Sequence, residues 1–399
     1  MQNVSSSNSE KALVPKLRFP EFTGEYSSVQ LGKIANKVVR NDPNSNAPIM
    51  MISAASGFIN QSIKYSRENA GKSLKKYTLL KQGELAYNHG ASKLRTFGCC
   101  FELEEKEARI PYVYHTFSIN EKQYTHYIAK YLNNPLIDKQ LKKLVTSSVR
   151  MDGLLNISYN EYMGIRLNIP NYSEQEKVSK FLTLIDKKIQ LQQQLIENLK
   201  LYKRGLVKQI FSYKCNASYK LNDILSEHIE RCNGKENLKI ISSTKQGLYY
   251  QEDYFNKQAA SSNTTGYKIL KRNQIVFSPQ NLWMGNINFN DKYEIGIVSP
   301  SYKIYDINSK FNKYYIAYLL KSPKAIKEYI LSSEQGASIV RRNLNIDLFN
   351  QISFKIPDIS IQNKHANTLY YFDKIIENNE NKSIIIQNMK AALLQQMFI

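Results

Sequence analysis

Ser173 to Phe211 reads SEQEKVSKFLTLIDKKIQLQQQLIENLKLYKRGLVKQIF, and Ser360 to Phe398 reads SIQNKHANTLYYFDKIIENNENKSIIIQNMKAALLQQMF. Each stretch follows an Ile-Pro pair, Ile169-Pro170 in one case and Ile356-Pro357 in the other. The spacing between the copies is the same at both ends, since 373 − 186 = 187 for the aspartates and 398 − 211 = 187 for the phenylalanines. Apolar residues recur at alternating steps of three and four: Leu182, Ile185, Ile189, then Ile196, Leu199, Leu206 and Ile210. Gln192 and Lys203 interrupt that seam, and the second copy places Asn379 and Lys390 at the same points. Such a seam buries itself against another helix. At ~1.5 Å per residue each helix would be roughly 55 Å long. Ser173 and Glu176 have the spacing of a capping box, which predicts the first helix start. If the helices run antiparallel about a pseudo-two-fold axis, the Gln192 and Asn379 amides meet and set the register. Otherwise both sit at the solvent edge of a wide apolar stripe.

The repeat extends beyond the helices. Leu31-Gly32-Lys33-Ile34 returns as Leu221-Asn222-Asp223-Ile224, at 221 − 31 = 190. Tyr127-Ile128-Ala129 returns as Tyr315-Ile316-Ala317, at 315 − 127 = 188. A duplicated unit of nearly 190 residues is too long for a solenoid repeat. Within each unit, β-like runs come first: Leu79 to Tyr87 in one copy, Ile275 to Ser278 and Ile295 to Tyr305 in the other. A helical pair follows, Tyr124 to Leu132 with Leu136 to Leu144, matched by Lys313 to Leu320 with Lys324 to Leu331. Pro135 and Pro323 suit a first helical turn, where no amide donor is needed. The expected fold is mixed α/β: two tandem globular α/β domains and two long helices packed as an antiparallel coiled coil. The segments are an N-terminal arm or linker (1–26), a globular domain (27–172), a long helix (173–211), a linker (212–217), a second globular domain (218–358) and a second long helix (359–399).

Lys and Arg number 55 against 34 Asp and Glu, a net charge of +21. That excess favours a polyanionic partner, nucleic acid before an acidic membrane face. No apolar run is long enough for a bilayer, and Met1 to Ser9 lacks a signal-peptide core, so a cytoplasmic location is expected. Cys99, Cys100, Cys215 and Cys232 have neither zinc-ligand nor disulfide-framework spacing and read as reduced thiols. No Gly-rich nucleotide loop, metalloprotease motif or nucleophile elbow is present. The five histidines are scattered, and the acidic run Glu102 to Glu107 reads as a solvated turn. The chain is therefore expected to bind and to do no chemistry, with no metal or cofactor of its own.

Two loops in each copy carry the residue types that contact nucleic acid. The first contains Asn88, His89, Ser92, Lys93 and Arg95, matched by Gln280, Asn281, Trp283 and Asn286. Asn and Gln can pair bidentately with adenine, and Arg and Lys with guanine. The second contains Ser147, Ser148 and Arg150, matched by Ser338, Arg341 and Arg342, hydroxyls and guanidiniums suited to clamping phosphate. Similar loops in both copies with different residues fit one scaffold carrying two specificities.

This layout resembles the specificity subunit of type I restriction–modification systems. The resembling features are two tandem globular domains, each followed by a long helix, a glutamine in the helix opening (Gln175 and Gln362), Asp186 and Asp373, and the opening Val14-Pro15-Lys16-Leu17-Arg18-Phe19. The second helix departs from the usual Glu-Gln opening, with Ile361 before Gln362. The resemblance implies that each domain reads one half of a bipartite, asymmetric double-stranded DNA target. The helices then act as a ruler for the unread spacer and as docking surfaces for two methyltransferase subunits, which restriction/translocase subunits join. S-adenosylmethionine, ATP and Mg²⁺ belong to those partners. The competing expectations are a coiled-coil assembly protein with incidental charge, and a nuclease or methyltransferase with a divergent site.

Overall fold

A computed structural model describes residues 12–64, 71–145, 155–212, 215–233, 238–254, 264–335 and 342–399. The chain forms two compact units. One comprises 1–191 with 382–399, and the other comprises 192–381.

In the first unit a four-stranded antiparallel sheet has the order Ala35–Lys37, His115–Ile119, Leu85–Asn88, Cys99–Glu102. In the second unit the order is Leu225–Glu227, Lys303–Ile307, Ile275–Phe277, Ile287–Phe289, again antiparallel. The two sheets thus repeat one topology. The strand expected over Leu79 to Tyr87 is two strands, Thr78–Lys81 and Leu85–Asn88, that belong to different sheets. Gly83 turns between them with φ +84°. At the same place in the second unit, 190 positions on, Asn273 adopts φ 70°. A left-handed residue is required there, and asparagine is among the few non-glycines that accept it. The run Ile295 to Tyr305 is likewise divided, into Ile295–Val298 and Lys303–Ile307.

The helical pairs are Thr125–Leu132 with Pro135–Leu144, and Lys313–Leu320 with Pro323–Leu331. Asn134 and Ser322 cap the second member of each pair, accepting from the amides of Leu136 and Ala325, with proline next in the first turn.

The long helices are Tyr172–Phe211 and Ile359–Met397. Their seam is apolar where periodicity places it. In the first unit Leu182, Ile185 and Met397 are buried, and in the second Ile196, Ile210, Leu369 and Ile376. Each helix ends inside the core of a globular domain: Phe398 stacks on Tyr127 at 5.1 Å, and Phe211 lies 5.3 Å from Tyr315. These contacts are counterparts, since 398 − 211 = 187 and 315 − 127 = 188.

The expected Ser173–Glu176 capping box is not the start of the first helix. Asn171 Oδ1 accepts from the Glu174 amide at 3.0 Å, so the cap lies two residues earlier and Ser173 is already helical. Glu176 instead pairs with Lys180 at 2.8 Å. The described part of the N-terminal arm is docked. Leu17 donates its amide to the Gln396 carbonyl, and Phe19 meets Phe181 edge-on at 5.6 Å. Among the described residues no helix is long and apolar enough to cross a membrane.

Candidate nucleic-acid interface

In each unit the first candidate loop leaves the end of an inner strand of the four-stranded sheet, Leu85–Asn88 or Ile275–Phe277. Some of its residues are buried and tied into the frame, and others are exposed or half-buried. Asn88 Oδ1 accepts from the Gly90 amide at 2.9 Å and its Nδ2 donates to the Ile52 carbonyl. His89 is buried at 7% exposure, with Nδ1 2.9 Å from the Leu155 carbonyl and Nε2 3.0 Å from that of Val113. Asn286 is buried too: its Oδ1 accepts from Ser243 Oγ at 2.8 Å and its Nδ2 donates to the Ser243 carbonyl at 3.0 Å. The candidate contacts His89 and Asn286 are therefore corrected to framework residues, because burial and internal bonds engage the atoms that would read a base.

Ser92 and Lys93 are exposed, as is Gln280, while Arg95, Asn281 and Trp283 are half-buried. Ser92 Oγ accepts from the Arg95 amide at 3.1 Å, closing the loop, and Arg95 Nη1 donates to the Asn133 carbonyl at 2.7 Å. In the second unit the loop is a 3-10 turn, Pro279–Met284, ended by Gly285 at φ +84°. Of the second loops, Ser147, Ser148, Arg150, Ser338 and Arg341 lie outside the described residues. Arg342 is described: Nη2 donates to the Ser333 carbonyl at 2.7 Å and the guanidinium lies 5.9 Å from the Trp283 ring centroid. These contacts tie Arg342 to the segment after Pro323–Leu331 and steady the tryptophan beside it.

Behind the loops, each unit is pinned to the helix pair by an aspartate node. In the first unit Asp186 takes Lys130 at 2.8 Å and Lys390 at 2.5 Å. Burial works against the Asp186 carboxylate, but the two ammoniums outweigh it and hold the pKa below the ordinary aspartate range. In the second unit Asp373 pairs with Lys203 and accepts from Tyr318 Oη at 2.7 Å. Burial first, then the Asp373 contact, pushes the Tyr318 phenol well above its usual range. Lys203 and Lys390 are the polar interruptions of the seam, so the signal was present in the periodicity although their partners were not. Gln192 Nε2 donates to Asn379 Oδ1 at 2.9 Å and to the Asn379 carbonyl at 3.2 Å. These pairings run the two helices antiparallel: Gln192 opposite Asn379, Lys203 opposite Asp373 and, in the other unit, Asp186 opposite Lys390.

The helix-opening glutamines also act alike. Gln175 Nε2 donates to the Pro170 carbonyl at 2.8 Å, and its Oε1 accepts from the Tyr124 amide at 3.0 Å. Gln362 donates to Pro357 at 2.8 Å and accepts from Asn312 at 2.9 Å. The neighbouring position differs. Glu174 is fully buried under a bidentate Arg18 (2.8 and 2.7 Å) and the Tyr26 hydroxyl (3.0 Å), whereas Ile361 occupies the equivalent place.

The same arrangement occurs in solved proteins. A chain from a structure described as the basis of complex assembly and conformational transition of the type I R-M system matches over 93% of this chain and 97% of its own. It does so at 11% identity and TM-score 0.56. The S subunit of a type I restriction–modification system from M. genitalium matches over 96% of this chain and 99% of its own, at 12% identity and TM-score 0.53. This chain has their fold. The likeness spans both units and both long helices, so two tandem α/β domains with long helices are the shared architecture. No protein-family model matches the sequence, and no curated protein is similar to it.

Proposed function

We propose that this chain is the specificity subunit of a type I restriction–modification complex, a non-catalytic reader acting in the cytoplasm. In this reading each unit contacts one half of a bipartite, asymmetric double-stranded DNA target. The chain directs two methyltransferase subunits and restriction/translocase subunits to it, and those partners bring S-adenosylmethionine, ATP and Mg²⁺. The observation that carries the reading is the repeated sheet and helix pair bearing unlike loops, on a fold shared with solved specificity subunits along nearly the whole chain. One scaffold with two different loop sets suits an asymmetric target. The net charge of +21 suits a polyanion.

The base- and phosphate-contacting residues we assign are Ser92, Lys93, Arg95, Gln280, Asn281 and Trp283, with the loops 146–150 and 336–341 completing each reader. Gln192 and Asn379 serve as the register pair of the helices.

A genome-wide methylation map of cells expressing the chain with its methyltransferase partner tests the reading. The expected result is a bipartite motif with a fixed gap and unlike halves. Replacing 27–172 by another reader should change one half only, and lengthening the helix near Gln192 should change only the gap. Methylation or cleavage by the purified chain alone would overturn the non-catalytic assignment. Absence of DNA binding with the partner present would favour an assembly protein.

A further inference from the structure

The second unit contains a cleft of about 780 Å³ that the DNA-reading proposal does not use. It opens between Gln246 and the strand Gly247–Tyr250, the segment after Ile287–Phe289, the helix Lys313–Leu320 and the two long helices. Its size is ordinary for a site holding one small molecule or one unit of a polymer. Its chemistry is cationic and aromatic.

Two of its cations are already matched, Lys203 with Asp373 and Lys374 with Glu377 at 2.8 Å. Three are not. Lys321 Nζ donates at 2.6 Å to Asn288 Oδ1, a neutral amide that is itself held by Ser243 and Thr244. Lys292 lies over two rings, 5.7 Å from Tyr249 and 5.3 Å from Tyr293. Arg204 also lines the cleft and is exposed. Against these three stands Asp291, the one lining carboxylate without an ion pair among the described residues. Lys321 is solvent-accessible by area, yet protein crowds its ammonium. That crowding, then the nearby Lys203, lowers its pKa, and the smaller opposing pulls of Asp291 and Asp373 do not restore it. A cation so placed gains from an incoming anion. The aromatic wall comes from Tyr249, Tyr314 and Tyr370, with the last two edge-to-face at 6.2 Å.

The first unit does not repeat this chemistry, although it repeats the fold. Strand register aligns Phe289 with Glu102, which places Glu105 where the second unit has Lys292, at 292 − 187 = 105. Asn133 stands for Lys321, His126 for Tyr314 and Thr183 for Tyr370. His126 there pairs with Glu102 at 2.6 Å. The counterpart is acidic and lacks the tyrosines. The Asp373 clamp that borders the cleft has its counterpart at Asp186, whereas the cationic and aromatic groups beside it have none, so they are not part of what both copies share to hold the fold.

We propose that this cleft binds a nucleotide, its phosphate on Lys321 and Lys292 and its base against the tyrosine wall. An ammonium beside aromatic faces matches a charged phosphate joined to a planar ring. The nucleotide is either a free nucleoside phosphate or one unit of a DNA strand, and the proposal goes beyond the reading of half-sites by the loops.

The test is lysine acylation of the full chain read by mass spectrometry, with ADP, a short DNA duplex, a short single strand or inorganic phosphate as probe. Protection of Lys321 and Lys292 about threefold or more, with Lys130 unchanged, is expected from ADP or from one of the DNAs. Whichever protects identifies the source. Y249A and K292E should each abolish most of the protection of Lys321 at the same probe concentration; Lys292 is exposed and Tyr249 half-buried, and circular dichroism checks that both variants fold. No protection by any nucleotide probe overturns the proposal, as does equal protection by inorganic phosphate. A duplex that binds the chain while leaving the cleft unprotected, with ADP also inert, refutes the cleft and spares the DNA-reading proposal. ADP protection with no duplex binding does the reverse.

Discussion

Arg18→Met should destabilise the first unit by about 3 kcal/mol, the lower end of the roughly 3–5 kcal/mol seen when one partner of a buried ion pair is removed. The magnitude comes from Glu174, whose side chain is fully buried and keeps only the Tyr26 hydroxyl and intrahelical neighbours once the guanidinium is gone. The lower end applies because Arg18 itself retains 13% exposure and its removal admits water. For a unit of this size that energy lowers Tm by roughly 6–12 °C. The second unit supplies the compensating change, since Ile361 occupies the position equivalent to Glu174 and is accommodated there. Glu174→Ile combined with Arg18→Met should therefore recover most of the loss, giving a coupling energy of about 2–3 kcal/mol in the cycle. Hydrogen exchange read separately over 155–191 and over 313–331 checks the location: protection should fall in the first segment and hold in the second. An Arg18→Met cost below about 1 kcal/mol, or a double variant worse than the single, would refute the argument that an uncompensated buried carboxylate sets the energy.

Asn286→Ala should cost about 1–3 kcal/mol, because it strips partners from buried Ser243, and should leave the recognised half-site unchanged. A methylation map with an altered half-site at unchanged stability would return Asn286 to the base-reading set. Acid should weaken the first unit through Asp186. Its folded pKa lies below the unfolded value of about 3.9, so its contribution is complete above that pH and is lost as pH falls through the folded pKa. Asp186→Asn should flatten the acid limb of the stability profile, measured by denaturant titration between about pH 5 and pH 2. Replacing Gln192 and Asn379 together by Leu should leave the helix pair as stable or more so, while the spacer in the methylation motif becomes heterogeneous. An unchanged, single spacer would show that the aspartate nodes hold the register without the amides.

Much of the architecture was legible because duplication writes the same constraint twice. The seam, the paired helices and the terminal phenylalanine of each long helical stretch recur at nearly constant offset, and each recurrence checks the other. Boundaries governed by local chemistry were harder. Ser173 has a capping sequence, yet Asn171 caps, and the helix starts two residues earlier than the capping-box spacing shows. The reader loops were readable in composition and not in direction. Whether Asn286 faces solvent depends on Ser243, 43 residues away, and whether His89 does depends on carbonyls 24 and 66 residues away. The Arg18–Glu174 pair spans 156 residues, a distance over which no periodicity carries information.

What the two copies keep and what they change separates scaffold from specificity. The aspartate clamp, the glutamine that joins helix opening to globular domain, and the terminal phenylalanine in each domain core recur with equivalent geometry. The reader-side partner of the clamp changes, Lys130 in one unit and Tyr318 in the other, yet the bond to the aspartate survives. That is the behaviour of a contact retained for position, since either an ammonium or a phenol can donate to a carboxylate. The loops at the strand ends and the walls of the second unit's cleft change without such compensation: Lys292 has Glu105 as its counterpart in the first copy, and among the described residues no swapped partner restores the charge. The Lys203–Asp373 clamp borders that cleft and is kept in both copies, while Lys292, Tyr314 and Tyr370 beside it are not, which is the pattern expected of a duplicated frame whose copies meet different ligands.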